Sequence, residues 1–353
     1  ISLCAYLADR RHLVIAIDSR DVLAVGRSHN SLRCFLGMIA SLSKIPNITV
    51  VAASRSFDAK YDPLLREMKW GEVISISPLS FNDSIAPLFN KWGYAVSQLS
   101  DKLKSVLIVP QNLRLFYELL HKGMTIDEIG EHDLYAIYLQ ELVEKDANLG
   151  QIVLNALQET SLDLLKQRSY EFQKSSLDVS PDQLQYLLSK QIIMEVGPNQ
   201  LMFSHQTLAD ALRIRQAFQN GTTLLEFSIS QPQLPFIRPA VRSLIQTLKN
   251  RSPKQCIRQL REFLLSDKVS MHLKRLAVET LAEMEANGND LALVITLSNQ
   301  HPQLFRRLLE RANNNSWFLL IHDQLIPNIN VKKSQQNTYA IIYFLSKFFK
   351  GNE

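Results

Sequence analysis

Cysteine is scarce: Cys4, Cys34 and Cys256 are the only three in 353 residues. They lie far apart and match no metal-ligand spacing. That excludes a disulfide framework and a cysteine-based metal site, and it points to a reducing, cytoplasmic setting. Glycine is low at 11 residues and aromatics at 8%, which argues against an all-β protein with many tight turns. No run approaches the ~18 consecutive apolar residues of a membrane span. A basic start followed by an apolar run, the mark of a signal peptide, is missing too. The first residue is Ile1 rather than Met, and Ile1–Asp9 reads as the end of a helix running into a strand. The expectation is therefore a piece cut from a longer protein. Neither a GxSxG elbow nor an HExxH motif occurs, so classical hydrolase chemistry is not expected.

What is present is ordinary for a chain with a real core: 46% hydrophobic and 21% charged residues, enough length for two to four domains. The net charge of +5 is uneven. Residues 221–353 hold 17 Lys+Arg against 10 Asp+Glu, whereas residues 1–220 are slightly acidic. The basic character belongs to the C-terminal third, either for an acidic partner or for solubility.

Leu13-Val14-Ile15-Ala16-Ile17 and Ile48–Ala53 are continuous apolar runs of the kind buried on both faces of a parallel sheet. Between them Leu32, Phe35, Leu36, Ile39 and Leu42 have helical spacing, so the two runs form a parallel unit with a right-handed crossover. Val73-Ile74-Ser75-Ile76 reads as a third strand. This α/β part covers 1–90. Helix candidates at Ser97–Leu107, Asn112–His121 and Asp133–Asp146 make a helical segment over 91–147, with Pro110 separating the first two. Over 148–220 the order is a long helix at Leu149–Gln167, a short one at Pro181–Ser189, two strands around a Gly-Pro-Asn turn at 197–199, and a helix over His205–Asn220. Helix, helix, wing and helix in that order read as a winged-helix domain. Residues 221–353 show amphipathic segments starting near Pro239, Met271, Pro302 and Asn337. A spacing of about thirty residues, with two helices per unit, is the mark of a helical solenoid.

The strongest local chemistry is LVIAIDSRD at 13–21, an apolar strand ending in an acid. A carboxylate at a strand tip can hold Mg²⁺ beside phosphates, and Asp18 has that place, with Asp21 suited to orient water. The plainer reading of Asp18 is a turn or cap residue. Arg55, after the second strand, has a terminal phosphate as one partner and Asp58 or Asp62 as the other.

These stretches resemble STAND-class P-loop ATPases, the AAA+-related group with NACHT and NLR-type switches, and above all bacterial antiviral members. The resemblance rests on IDSRDVLA at 17–24, NITVVAASRSFDAKYDPLL at 47–65, ISPLSFNDSIAPLF at 76–89, VPQNLRLFYELL at 109–120 and MFSHQTLADALRIRQA at 202–217, in that order. It implies a partial P-loop (AAA+/NACHT-like) α/β core, a helical lid, a winged helix and HEAT/TPR-like all-α repeats. It also implies bound ATP or ADP with Mg²⁺. Asp18 would serve the metal, Asp21 the hydrolytic water and Arg55 the phosphate. Pro110 would be the lid proline near adenine, and His205 the winged-helix histidine that touches the β-phosphate of ADP in the resting state. Exchange for ATP would then permit self-oligomerisation, with a protein trigger or effector on the repeats.

Two departures stand out. The phosphate cradle GxxxxGK[ST] is absent, since no glycine is followed by Lys-Ser or Lys-Thr, so these residues alone are not expected to hydrolyse ATP. Arg20 stands between the two acids where the family more often has an apolar residue. Two other function classes stay open: a non-enzymatic helical-repeat scaffold with a degenerate ATPase fold, and a nucleic-acid-binding winged-helix regulator. For the second, Arg238, Arg242, Lys254, Arg258, Arg261, Lys274 and Arg275 are either a solvated face or a phosphate-binding one.

Overall fold

The computed structural model of the chain describes residues 1–17, 29–54, 63–130, 134–328 and 335–349 and is mostly helical, with two small sheets. The chain divides into two compact units, Ile1–Gly130 with Gln167–Ser169, and Glu131–Lys166 with Tyr170–Glu353.

In the first unit, helix α1 (Ser2–Ala8) leads into β1 (Leu13–Ile17), α2 (His29–Leu42), β2 (Ile48–Ala52) and α3 (Pro63–Glu67). The β-branched run Ile48-Thr49-Val50-Val51 favours a pleated strand over a helix. The chain reverses before it at Asn47, which adopts a left-handed φ of 61°, a conformation asparagine tolerates. β1 and β2 pair in parallel, with Leu13 opposite Ile48 and Ile17 opposite Ala52. Burial alternates along both strands. One set, including Ile15 and Val50, is partly covered, and α1 packs on β1 and α2 on β2. The other set is bare, with Val14 59% and Val51 55% exposed.

This corrects the expectation of strands buried on both faces. An apolar run records a preference for leaving water, but here the described neighbours cover only one side. The third strand is corrected as well. Val73, Ile74 and Ile76 lie in irregular chain and are 77%, 78% and 96% exposed. Local β-propensity without a ladder partner does not make a strand.

The rest of this unit is helical. A wide turn at Phe81–Ile85, capped by Ser80, runs into α4 (Ala86–Lys91), followed by α5 (Asp101–Leu107), α6 (Pro110–His121) and α7 (Ile126–Gly130). Its core is Ile85, Phe89, Leu103, Leu107, Phe116 and Leu119.

The second unit begins with α8 (Leu134–Leu139), which widens over Gln140–Glu144, and the long α9 (Gly150–Gln167). Then come β3 (Glu171–Gln173), α10 (Pro181–Ser189), β4 (Ile193–Gly197), β5 (Gln200–Phe203) and α11 (Gln206–Gln219). The three strands form an antiparallel sheet in the order β3-β5-β4. Its hairpin turns at Asn199, φ 67°. Ser180 and Gln183 form a reciprocal capping box at the start of α10, where Pro181 occupies the first helical position.

Beyond residue 220, every described element is a helix: α12 (Leu224–Ile229), α13 (Arg238–Arg251), α14 (Pro253–Leu265), α15 (Met271–Glu283), α16 (Asp290–Gln300), α17 (Pro302–Arg311), α18 (Asn315–Leu319) widening over Leu320–Leu325, α19 (Ile326–Asn328) and α20 (Gln335–Phe349). They stack in two layers. One runs α11, α13, α15, α17, α20 and the other α12, α14, α16 and the turn Leu320–Leu325, each packing on the next in its layer. The breaks are chemical. Ser252 before Pro253 and His301 before Pro302 leave the helical region, as residues preceding proline do, and the proline opens the next helix.

Candidate functional site

Of the residues singled out from sequence, Asp18, Asp21 and Arg55 lie outside the described residues. What is described is the ground they spring from. Ile17 and Ala52 face each other at the ends of β1 and β2, and Ala53 N–H donates to Ile17 O at 2.8 Å. The two strands therefore finish level. Asp18 follows one end in the sequence, and Ser54-Arg55 follow the other a residue further on. At the opposite end of the pair, the His12 ring nitrogen Nε2 and Thr49 Oγ1 are 2.9 Å apart.

Pro110 is the first residue of α6, exposed, and preceded by Val109 in an extended conformation. That backbone shape follows from the clash a proline imposes on the residue before it. Asn112, in the first turn, donates to Val106 O at 2.9 Å and ties the start of α6 to the end of α5.

His205 is the N-cap residue of α11, with extended backbone (φ −142°, ψ 134°) and a half-buried side chain. Its carbonyl accepts from Leu208 N at 3.1 Å and Ala209 N at 3.4 Å, whereas its imidazole makes no capping bond. The flanking Phe203 and Leu208 are buried at 4% and 3% and anchor the turn from β5 into α11. Pro110 belongs to the first unit and His205 to the second.

The residues that sequence reasoning missed are the ion pairs beneath this helix. Arg213 and Asp210 are both buried and 2.7 Å apart, and Arg213 Nε also donates to Ser161 O at 2.8 Å. Burial lowers the guanidinium's affinity for its proton, and the Asp210 carboxylate opposes that. Arg215 pairs with Glu144. Gln158 donates to Gln219 Oε1 at 3.1 Å, and Tyr186 bonds Asp146 at 3.1 Å. Both arginines of α11 are thus spent inside the unit, and neither is offered to a nucleic-acid groove. The one signal that could have pointed to this was the Asp-x-x-Arg spacing at 210–213, which places both on one helix face.

In the stack, Lys249 reaches the buried Asp290 and donates to its Oδ2 at 2.6 Å. Arg307 pairs with the buried Glu279. Beside the first pair, burial pushes the Cys256 thiol up to about 12. Among the described residues, no group of three or more His, Cys, Asp or Glu is placed to hold a metal ion, and no helix is long and apolar enough to cross a membrane. No protein-family model matches the chain, and no curated protein does either.

Proposed function

We propose that the chain belongs to a nucleotide-controlled signalling switch of the STAND type, built on a partial P-loop α/β core, a helical lid, a winged helix and helical repeats. The observation that carries this reading is the level parallel pair β1–β2, whose ends precede Asp18 and Arg55. Ligands of open α/β sheets collect at the carboxyl ends of neighbouring parallel strands. The order α10, hairpin, α11, with β3 completing the small sheet, supports the winged-helix assignment.

In this reading Asp18 serves Mg²⁺, Asp21 orients water, Arg55 and His205 contact phosphate oxygens and Pro110 lies by the base. Replacing ADP by ATP drives a two-state change and self-association through γ-phosphate contacts. The helical stack receives a protein trigger or passes the signal on, in a cytoplasmic, antiviral setting. A helical scaffold without catalysis is the second reading, favoured by the two-layer stack alone.

The test is Mg-ADP affinity of the protein expressed from its whole reading frame. Asp18→Ala, Arg55→Ala and His205→Ala should each weaken ADP by roughly tenfold or more, on the order of 1–3 kcal/mol for a charge-assisted hydrogen bond, with unfolding unchanged. Absence of nucleotide binding would leave the scaffold. The 353 residues alone should not turn over ATP, and steady turnover abolished by Asp18→Ala would contradict that.

A further inference from the structure

The cations of the helical stack fall into two groups. Among the described residues, several are satisfied within the fold. Arg242 pairs with Glu283, Lys249 with Asp290, Arg306 with Glu310, and Arg307 with Glu279 and Glu310. Lys347 donates to the carbonyl oxygens of Leu309 and Glu310 at 2.8 Å each, and Arg251 lies over the Phe218 ring at 4.6 Å.

Helix α14 differs. Its apolar side, with Cys256, Leu260, Phe263 and Leu264, is buried in the stack, whereas Lys254, Arg258 and Arg261 are exposed. Among the described residues none of these three enters an ion pair or a side-chain hydrogen bond. At about 100° per residue they fall within roughly 60° of one another, in a row about 10 Å long. Little quenches the row from the neighbouring helices of its layer. The acid of α12, Glu226, is held in a capping box by Thr223, and that of α16, Asp290, is buried on Lys249. On α14 itself Glu262 is exposed but paired with none of the three. Lys268 and Arg275, nearby in sequence, are exposed as well.

We propose that the Lys254–Arg258–Arg261 row is a docking surface for the phosphodiester backbone of nucleic acid. A protein partner calls for an apolar anchor at the centre of its interface, and α14 presents no large exposed apolar side chain. What it presents is charge alone, as an ammonium and two guanidinium forks, the groups that suit phosphate oxygens. With no aromatic residue in the row, there is no platform on which a base would stack, so binding is independent of sequence. This surface is separate from α11, whose arginines are spent internally, and the proposal does not depend on nucleotide binding elsewhere in the chain.

The test is fluorescence anisotropy of the full chain with short duplex DNA, duplex RNA and single-stranded DNA over a salt series. The duplexes should bind weakly at low salt. On duplex DNA, log affinity should fall against log salt with a slope of about −2 to −3, one counterion per neutralised phosphate. The Lys254→Gln/Arg258→Gln/Arg261→Gln variant should lose at least about tenfold in affinity and most of that slope, with an unchanged thermal melt. Glu262→Lys, which adds a charge beside the row, should tighten binding. Preference for one of the three nucleic acids identifies the source of the phosphates. The proposal is overturned by no binding at low salt, by an unchanged slope in the triple variant, or by an acidic peptide binding in preference to every nucleic acid.

Discussion

Asp210 and Arg213 lie one turn apart on α11, joined at 2.7 Å, with 4% and 3% of their side chains exposed. Arg213 extends this contact by its bond to Ser161 O on α9. The pair therefore clamps the helix that follows the hairpin to the long helix that precedes the sheet.

Removing one member leaves a buried, uncompensated charge. Asp210→Ala should destabilise the protein by on the order of 3–5 kcal/mol, whereas the Asp210→Leu/Arg213→Met pair should recover most of that. Urea denaturation of the singles and the double checks this. A loss under about 1 kcal/mol for Asp210→Ala would mean that Arg213 is held by other groups.

The three cysteines should separate by reactivity. Cys34 is exposed and Cys4 half-buried, while Cys256 is fully buried with its thiol pushed up to about 12 by burial. Near pH 8 it carries almost no thiolate, which is the reactive form. Titration with a chromogenic disulfide should count two thiols in the native protein and three after unfolding. Three fast thiols in the native state would mean that α14 opens readily.

His272, in the first turn of α15, is held neutral. Burial, and secondarily the charge of Arg238, lower its pKa from 6.5 to about 4. The unfolded chain therefore binds the proton first. The stability this histidine permits is full above about pH 6.5 and is lost progressively as pH falls to about 4. Allowing for its partial exposure, the loss is on the order of 1–3 kcal/mol. The difference in unfolding free energy between wild type and His272→Gln should change across this window and stay flat above it. A flat difference throughout would show that the imidazole titrates as in the unfolded chain.

Thr223 caps the start of α12. It accepts from Glu226 N at 3.2 Å while Glu226 accepts from Thr223 N at 2.8 Å. Thr223→Ala should cost about 1 kcal/mol, and Thr223→Ser a small part of that. Equal losses in both variants would point to the methyl group rather than the cap.

The sequence announced the elements whose signals are local. The strand on the β-branched run at 48–51, the hairpin around 197–199 and the helix starts at Pro181, Met271 and Pro302 fall where periodicity and proline place them. The segment starts near Pro239 and Asn337 lie within two residues of α13 and α20. Other features depend on distant neighbours and were not legible. β3 is only Glu171-Phe172-Gln173, too short and polar to stand out, and exists because β5 pairs with it. Residues 73–76 have the composition of a strand, but among the described residues no strand pairs with them. Lys249 and Asp290, 41 residues apart, each look like surface charges until the stack brings α13 to the start of α16. At the candidate site, Asp18, Asp21 and Arg55 lie outside the described residues, and what is described is the pair of strand ends, Ile17 and Ala52, that precede them. For His205 the helix start was legible, but that its side chain makes no capping bond was not.

The bare face of β1 and β2 has a colloidal consequence. A parallel pair exposing Val14 and Val51 is an aggregation template, because flat apolar ribbons recruit further strands from solution. Whatever its biological partner, the purified chain should become less soluble as concentration and temperature rise. Light scattering should show this well before circular dichroism reports any loss of helix. Val51→Lys, a gatekeeper charge on that face, should delay the scattering onset without moving the melt.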